Sequence, residues 1–218
     1  MSQTLKFRLV TPPAVEPVSV NEAKQHLRLE DEDGDDAALL AGLIRSVREF
    51  AERFLGRALI TQTYLATLDA WPTNHRVEGQ WWDGTRDGAV SELSRADRAI
   101  ELPRPPLQSI ELIRTFDDVD QATTFASSNY LVDAISQPGR VVLRNGVAPP
   151  VALRAANAIE IQFKAGYGDD PQSVPEAIRL GMLQVIAHLY ENRGDETDQA
   201  ARETPAVTLW QPYRILRI

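Results

Sequence analysis

The sequence predicts an α+β protein, with a helical body built from its N-terminal and C-terminal segments and an antiparallel β-rich subdomain inserted between them. Three observations carry this reading. From Asp35 to Gly56 the apolar residues Leu39, Leu40, Leu43, Ile44, Val47, Phe50, Ala51, Phe54 and Leu55 recur in steps of three and four, the period of a helix with one apolar stripe. From Pro175 to Asn192 a second helical stretch spreads Ile178, Leu180, Met182, Leu183, Val185, Ile186, Leu189 and Tyr190 over a broad apolar surface. Between the two lie short alternating runs punctuated by Pro, Gly and Asn, the pattern of strands and turns. The expected organisation is an arm and body helices over 1–58, the β-rich insertion over 59–170, the last body helix over 171–193, and a linker with a partner-binding tail over 194–218.

Residues Leu5 to Pro17 hold three prolines and predict an extended arm, because proline removes a backbone donor and resists helix. Ser19 with Glu22 has capping-box spacing, so a short helix through Val20, Ala23, Lys24 and Leu27 ends near Leu29. The acidic run Glu30 to Asp36 turns into the long helix. Asp35 and Asp36 suit the positive end of its dipole, and Gly56 suits the left-handed residue that stops it. Such a stripe must be covered, and the helix at 175–192 is its predicted partner.

After Gly56 the period changes to two, and residues 60–68 form a strand closed by Trp71-Pro72. Residues 73–98 have no steady period and predict a long excursion carrying Trp81 and Trp82; loops of this length are functional or disordered. Further strands are expected at 99–102, 110–116, 130–132, 140–143 and 158–163, with turns at Pro138-Gly139 and Asn145-Gly146. Gly166-Tyr167-Gly168 and Pro171 end the last strand, and Pro175 sits where the first turn of a helix accepts proline. Arg193 to Glu203 is charged and predicts a mobile linker. The closing segment, Pro205 to Ile218, is apolar and aromatic, so it must bury itself either on its own domain or on a partner.

With 43% hydrophobic residues in 218 the chain can build a real core. No apolar run is long enough to cross a bilayer, and residues 1–10 lack a signal-peptide layout, so a soluble cytoplasmic protein is expected. The formal net charge of −8 argues against a general electrostatic grip on nucleic acid. Without cysteine there are no disulfides, thiolate metal sites or cysteine nucleophiles. His26, His75 and His188 stand in separate elements, and Gly34 is misplaced for a calcium loop. Gly166-Tyr167-Gly168 is followed by Asp169 and Asp170, which would repel phosphate, and lacks a P-loop lysine. No metal, cofactor or catalytic residue is therefore predicted. Aromatic residues beside arginine are enriched where proteins bury one another, which singles out Trp81, Trp82, Trp210 and Tyr213.

Six segments, in this order, carry a resemblance: Pro17-Val18-Ser19-Val20-Asn21-Glu22-Ala23-Lys24, Glu52 to Thr63, Leu102 to Leu107, Phe163-Lys164-Ala165-Gly166-Tyr167-Gly168, Val174-Pro175, and His188-Leu189-Tyr190-Glu191-Asn192-Arg193. Together they resemble the head-tail connector, or adaptor, family of long-tailed phages and phage-like gene transfer agents. The resemblance implies a ring of twelve copies docked on the capsid portal, holding the next neck or tail protein and letting DNA pass without sequence-specific binding. It implies no catalysis, no cofactor and no membrane, and a place in the neck of a particle assembled in the bacterial cytoplasm. By position it puts Leu209, Trp210, Tyr213, Arg214, Ile215, Leu216 and Ile218 at the portal contact. Arg45, Arg48, Glu49, Glu52 and Arg53, on the charged face of the long helix, become candidates for subunit contacts, with a solvated face as the alternative. The chain departs from the family in the length of 73–98 and in the extension from Ile215 to Ile218. A stopper or other neck ring protein, and a small hydrolase whose acids meet only in the fold, are the rival readings.

Overall fold

The computed structural model describes residues 5–29, 36–72, 99–192, 194 and 196–215. They divide into two compact units, one helical and one built of sheets. The helical unit takes the described residues of Thr11–Gln62, Arg104–Pro106 and Ala165–Ile218.

Helix α1, Val20–Leu27, begins at the predicted capping box. The Glu22 amide donates to Ser19 Oγ at 3.2 Å, and the Ser19 amide donates back to Glu22 Oε2 at 2.7 Å. Helix α2, Asp36–Leu55, stops at Gly56, whose φ of +70° is the expected left-handed turn. Helix α3, Glu176–Glu191, is the partner of α2. Leu40, Ile44, Val47, Ala51 and Leu55 share one core with Ile178, Met182, Val185 and Ile186.

One expectation is corrected in this unit. The stretch read as a mobile linker contains helix α4, Thr197–Glu203, with Ala200 and Ala201 completely buried. Two small apolar residues in seven are too few to show a helical period, so only packing reveals the element. A last short helix, α5, follows at Ala206–Trp210.

The second unit takes the described residues of Met1–Val10, Thr63–Pro103 and Leu107–Lys164. Its strands are β1 Lys6–Thr11, β2 Gln62–Leu68, β3 Ala99–Glu101, β4 Leu107–Phe116, β5 Ala122–Thr124, β6 Tyr130–Asp133, β7 Arg140–Leu143 and β8 Ile159–Ala165. Five of them form one sheet in the order β1-β2-β8-β4-β5, and three form another in the order β3-β7-β6. The smaller sheet is antiparallel, with Ile100 opposite Val141 and Val132 also opposite Val141. In β8 the buried residues Ile159, Ile161, Phe163 and Ala165 alternate with half-buried ones, as a strand with one covered face requires. The Phe163 and Tyr64 rings stack at 5.7 Å inside this unit.

The arm at 5–17 is more than extended chain, since its first half is strand β1 at the edge of the large sheet. β5 was not foreseen either. Neither strand buries a residue, so neither has the alternation that marks a strand. The overall class is α+β.

Candidate assembly surfaces

The C-terminal segment folds back on its own unit. Trp210 of α5 is completely buried, and its Nε1 donates to the Ile178 carbonyl at 3.0 Å. Its ring lies against Gly181, where an added Cβ would come within 2.4 Å of Nε1, and the Phe50 and Phe54 rings stand 6.2 and 6.0 Å away. Glycine in mid-helix is unfavourable by itself; here it makes the slot that receives the indole. The signal was in the sequence as a lone glycine inside an apolar helical pattern.

Beyond a 3-10 turn at Gln211–Tyr213, the chain lies along the C-terminal end of α2. The Ile215 amide donates to the Leu55 carbonyl at 2.9 Å, satisfying one of the acceptors that every helix leaves open at its end. Arg57 donates to the Tyr213 carbonyl, and the Arg214 guanidinium sits 4.9 Å from the centre of the Phe54 ring. Of the tail candidates, Trp210 is thus taken up by its own core. Leu209, Tyr213 and Ile215 are half-buried, and Arg214 is exposed. Leu216 and Ile218 lie outside the described residues, as do Trp81 and Trp82.

The charged residues of α2 also separate into two groups. Arg45, Glu49 and Arg53 are exposed, with the Arg53 guanidinium 5.9 Å from the Phe50 ring centre. The expectation that Arg48 and Glu52 share this outward face is corrected, because both are buried. They fall four and eight residues after Ile44, on the ridge of that core residue. Arg48 Nη1 lies 3.0 Å from Glu52 Oε2, and its Nε lies 2.7 Å from Glu16 Oε2. Glu52 Oε1 accepts the Leu59 amide at 3.0 Å and the Gln62 side chain. Burial pushes the Glu52 carboxyl up, against the opposing pull of the Leu59 amide and Arg48. Burial disfavours a charged Arg48, but Glu52 and Glu16 more than offset this and hold its guanidinium above its ordinary range.

Arg179 escaped the sequence reading altogether. It donates to the Pro17 carbonyl at 3.0 Å, to Glu176 at 2.8 Å and to Glu22, so it fastens the cap of α1 to the start of α3. Such a residue is invisible to short-range pattern, since two of its partners lie more than 150 residues away. Among the described residues, no group of three or more His, Asp or Glu is placed to hold a metal. No described helix is long and apolar enough to cross a membrane.

Residues 17–102 match the family model of phage gp6-like head-tail connector proteins. The chain is similar to one in the neck of an empty GTA particle computed with C6 symmetry, at 22% identity and a TM-score of 0.74, over 98% of this chain and 97% of that one. It is also similar to a chain of the virion of a native gene transfer agent (GTA) particle, at 21% identity and a TM-score of 0.71, over 97% and 96%. A third likeness is to a chain in the neck of a native GTA particle computed with C12 symmetry, at 20% identity and a TM-score of 0.65, over 99% and 97%. No curated protein matches the chain. The resemblance drawn from the sequence is borne out: over residues 17–102 the chain carries the pattern of the gp6-like head-tail connector family, and nearly all of it shares the fold of these gene transfer agent chains.

Proposed function

We propose that the chain is a structural head-tail adaptor, one subunit of a ring that joins the capsid portal to the tail or next neck ring. The observation that carries this reading is the likeness over 98% of the chain to a chain from the neck of a GTA particle, supported by the connector family model over residues 17–102. The ring has twelve copies, acts without catalysis, and is assembled in the bacterial cytoplasm before residing in the particle neck. The β-rich part is an insertion into the helical body. Arg45, Glu49 and Arg53 meet the neighbouring subunit, since mixed charge on one exposed face favours a specific rather than a promiscuous contact. Leu209, Tyr213, Arg214, Ile215, Leu216 and Ile218 meet the portal, and Trp210 acts indirectly by holding the segment in place. Trp81 and Trp82 contact a further neck partner. Acidic residues facing the bore keep passing DNA from adhering, because like charges repel at short range.

The test is to purify the chain with its portal and image the complex. A ring seated on the portal is the expected result, and failure to form any joint complex overturns the adaptor reading. Removing Leu216 to Ile218 together with Arg214→Glu is expected to abolish portal capture while the free chain stays folded. Undiminished capture by that variant would reject the tail assignment alone.

A further inference from the structure

The five-stranded sheet ends in β1 on one side and β5 on the other, and no described strand lies beyond either. An edge strand directs a row of backbone donors and acceptors outward, a template on which another strand can add. All six residues of β1 and all three of β5 are exposed. The two edges differ in charge. Strand β1 carries Lys6 and Arg8 and no acid, whereas the turn leading into β5 carries Asp117, Asp118 and Asp120. Asp117 Oδ1 accepts the Val119 and Gln121 amides at 3.1 and 2.8 Å, and Asp120 pairs with Arg154 at 3.1 Å. These bonds shape the turn and leave Asp118 exposed beside Val119, which is 76% exposed. Leu9 and Val10 of β1 are each 46% exposed.

We propose that these edges are the two halves of one joint, in which β1 of one copy adds to β5 of the next so that the large sheet continues from subunit to subunit. The occupant of each edge is a second copy of this chain, because a basic edge and an acidic edge at opposite ends of one sheet complement each other. A contact using different surfaces of each copy is heterologous, the kind that closes into a ring. The inference rests on the ring reading above and specifies how its subunits join. Strands are spaced ~4.8 Å apart, so a five-stranded sheet covers ~24 Å of circumference, and twelve copies make a belt roughly 90 Å in mean diameter with an open bore. Because β5 is short, the backbone provides only about two or three hydrogen bonds, and the charges supply the register.

The chain has no cysteine, so a pair of introduced cysteines reports this joint without background. The full chain carrying L9C with one of A122C, T123C or T124C is assembled with its portal and mildly oxidised. At least one pair is expected to give a denaturant-resistant ladder of covalent multimers, while each single-cysteine variant stops at dimers. Charge reversal by K6E/R8E is expected to lower ring yield roughly tenfold, as is D118K, and combining them is expected to restore it. Rings seen by native mass measurement, with no ladder from any pair and no rescue by the combined variant, would overturn the edge joint while leaving the ring intact. If wild-type chain forms no ring with the portal, both this inference and the adaptor reading fall.

Discussion

Trp210 shows how one side chain can decide whether a segment is a free tail or part of the core. Its indole nitrogen is bonded and its ring fills the space made by Gly181. Trp210→Ala is therefore expected to cost about 3–5 kcal/mol of stability through the cavity it leaves. Gly181→Ala, which drives a methyl group into the indole, is expected to cost about 1–3 kcal/mol by overpacking. Urea unfolding midpoints check both, and equal midpoints for wild type and Gly181→Ala would reject the slot. Glu52 behaves differently, because burial raises its carboxyl above the ordinary value of 4.5. The folded state then holds the proton more tightly than the unfolded state, so this group's contribution is full below about 4.5 and is lost as pH rises through the folded value. Glu52→Gln removes that titration, and its stability is expected to fall less than that of wild type over the same rise. The substitution also deprives buried Arg48 of one partner, costing about 3 kcal/mol near neutral pH, the low end for a broken buried pair because Glu16 remains. The partners of Glu52 at Leu59 and Gln62 were beyond any periodic reading. The ridge through Ile44, Arg48 and Glu52 was present in the sequence, but Arg and Glu are buried only when paired, and the Glu16 partner of Arg48 lies outside the helix.

Elements whose cause is local were legible in the sequence. The α1 capping box, the apolar stripes of α2 and α3, the stop at Gly56 and the strand at 140–143 depend on residues a few positions apart, and the structure has them where they were expected. Elements held by distant partners were not: α4 is defined by two buried alanines, and β1 and β5 only by the neighbours they pair with. The cap of α1 joins the two kinds of cause. Burial opposes ionisation of Glu22, but hydrogen bonds from Ser19 and the charge of Arg179 prevail and hold its carboxyl below the ordinary value. Its contribution is accordingly present above the unfolded value of 4.5 and lost as pH falls through the folded one, opposite in sign to Glu52. Ser19→Ala is expected to cost about 1 kcal/mol and to speed amide hydrogen exchange in α1 first. If exchange in α1 were unchanged at neutral pH, the capping box would be ornamental.

At the scale of the whole molecule, connectivity matters more than any single contact. The chain passes between its two units five times, after Val10, Gln62, Pro103, Pro106 and Lys164. Three neighbouring strands, β1, β2 and β8, reach those passages at Val10, Gln62 and Lys164. Losing the helical unit would release one end of each of these strands at once, and a sheet with three adjacent frayed strands keeps little of its ladder. Each unit has its own core, which by itself would predict two unfolding steps; the repeated crossings instead predict one cooperative step. Trp210→Ala separates the alternatives, because it weakens only the helical core. Hydrogen exchange followed peptide by peptide through a denaturant series is expected to show β2 and β8 losing protection together with α2 and α3, at the lowered midpoint. Retention of wild-type protection in β2 and β8 after α2 and α3 have exchanged would show that the units unfold independently despite the crossings, and that a ring joined through the sheet could survive loss of its helical half.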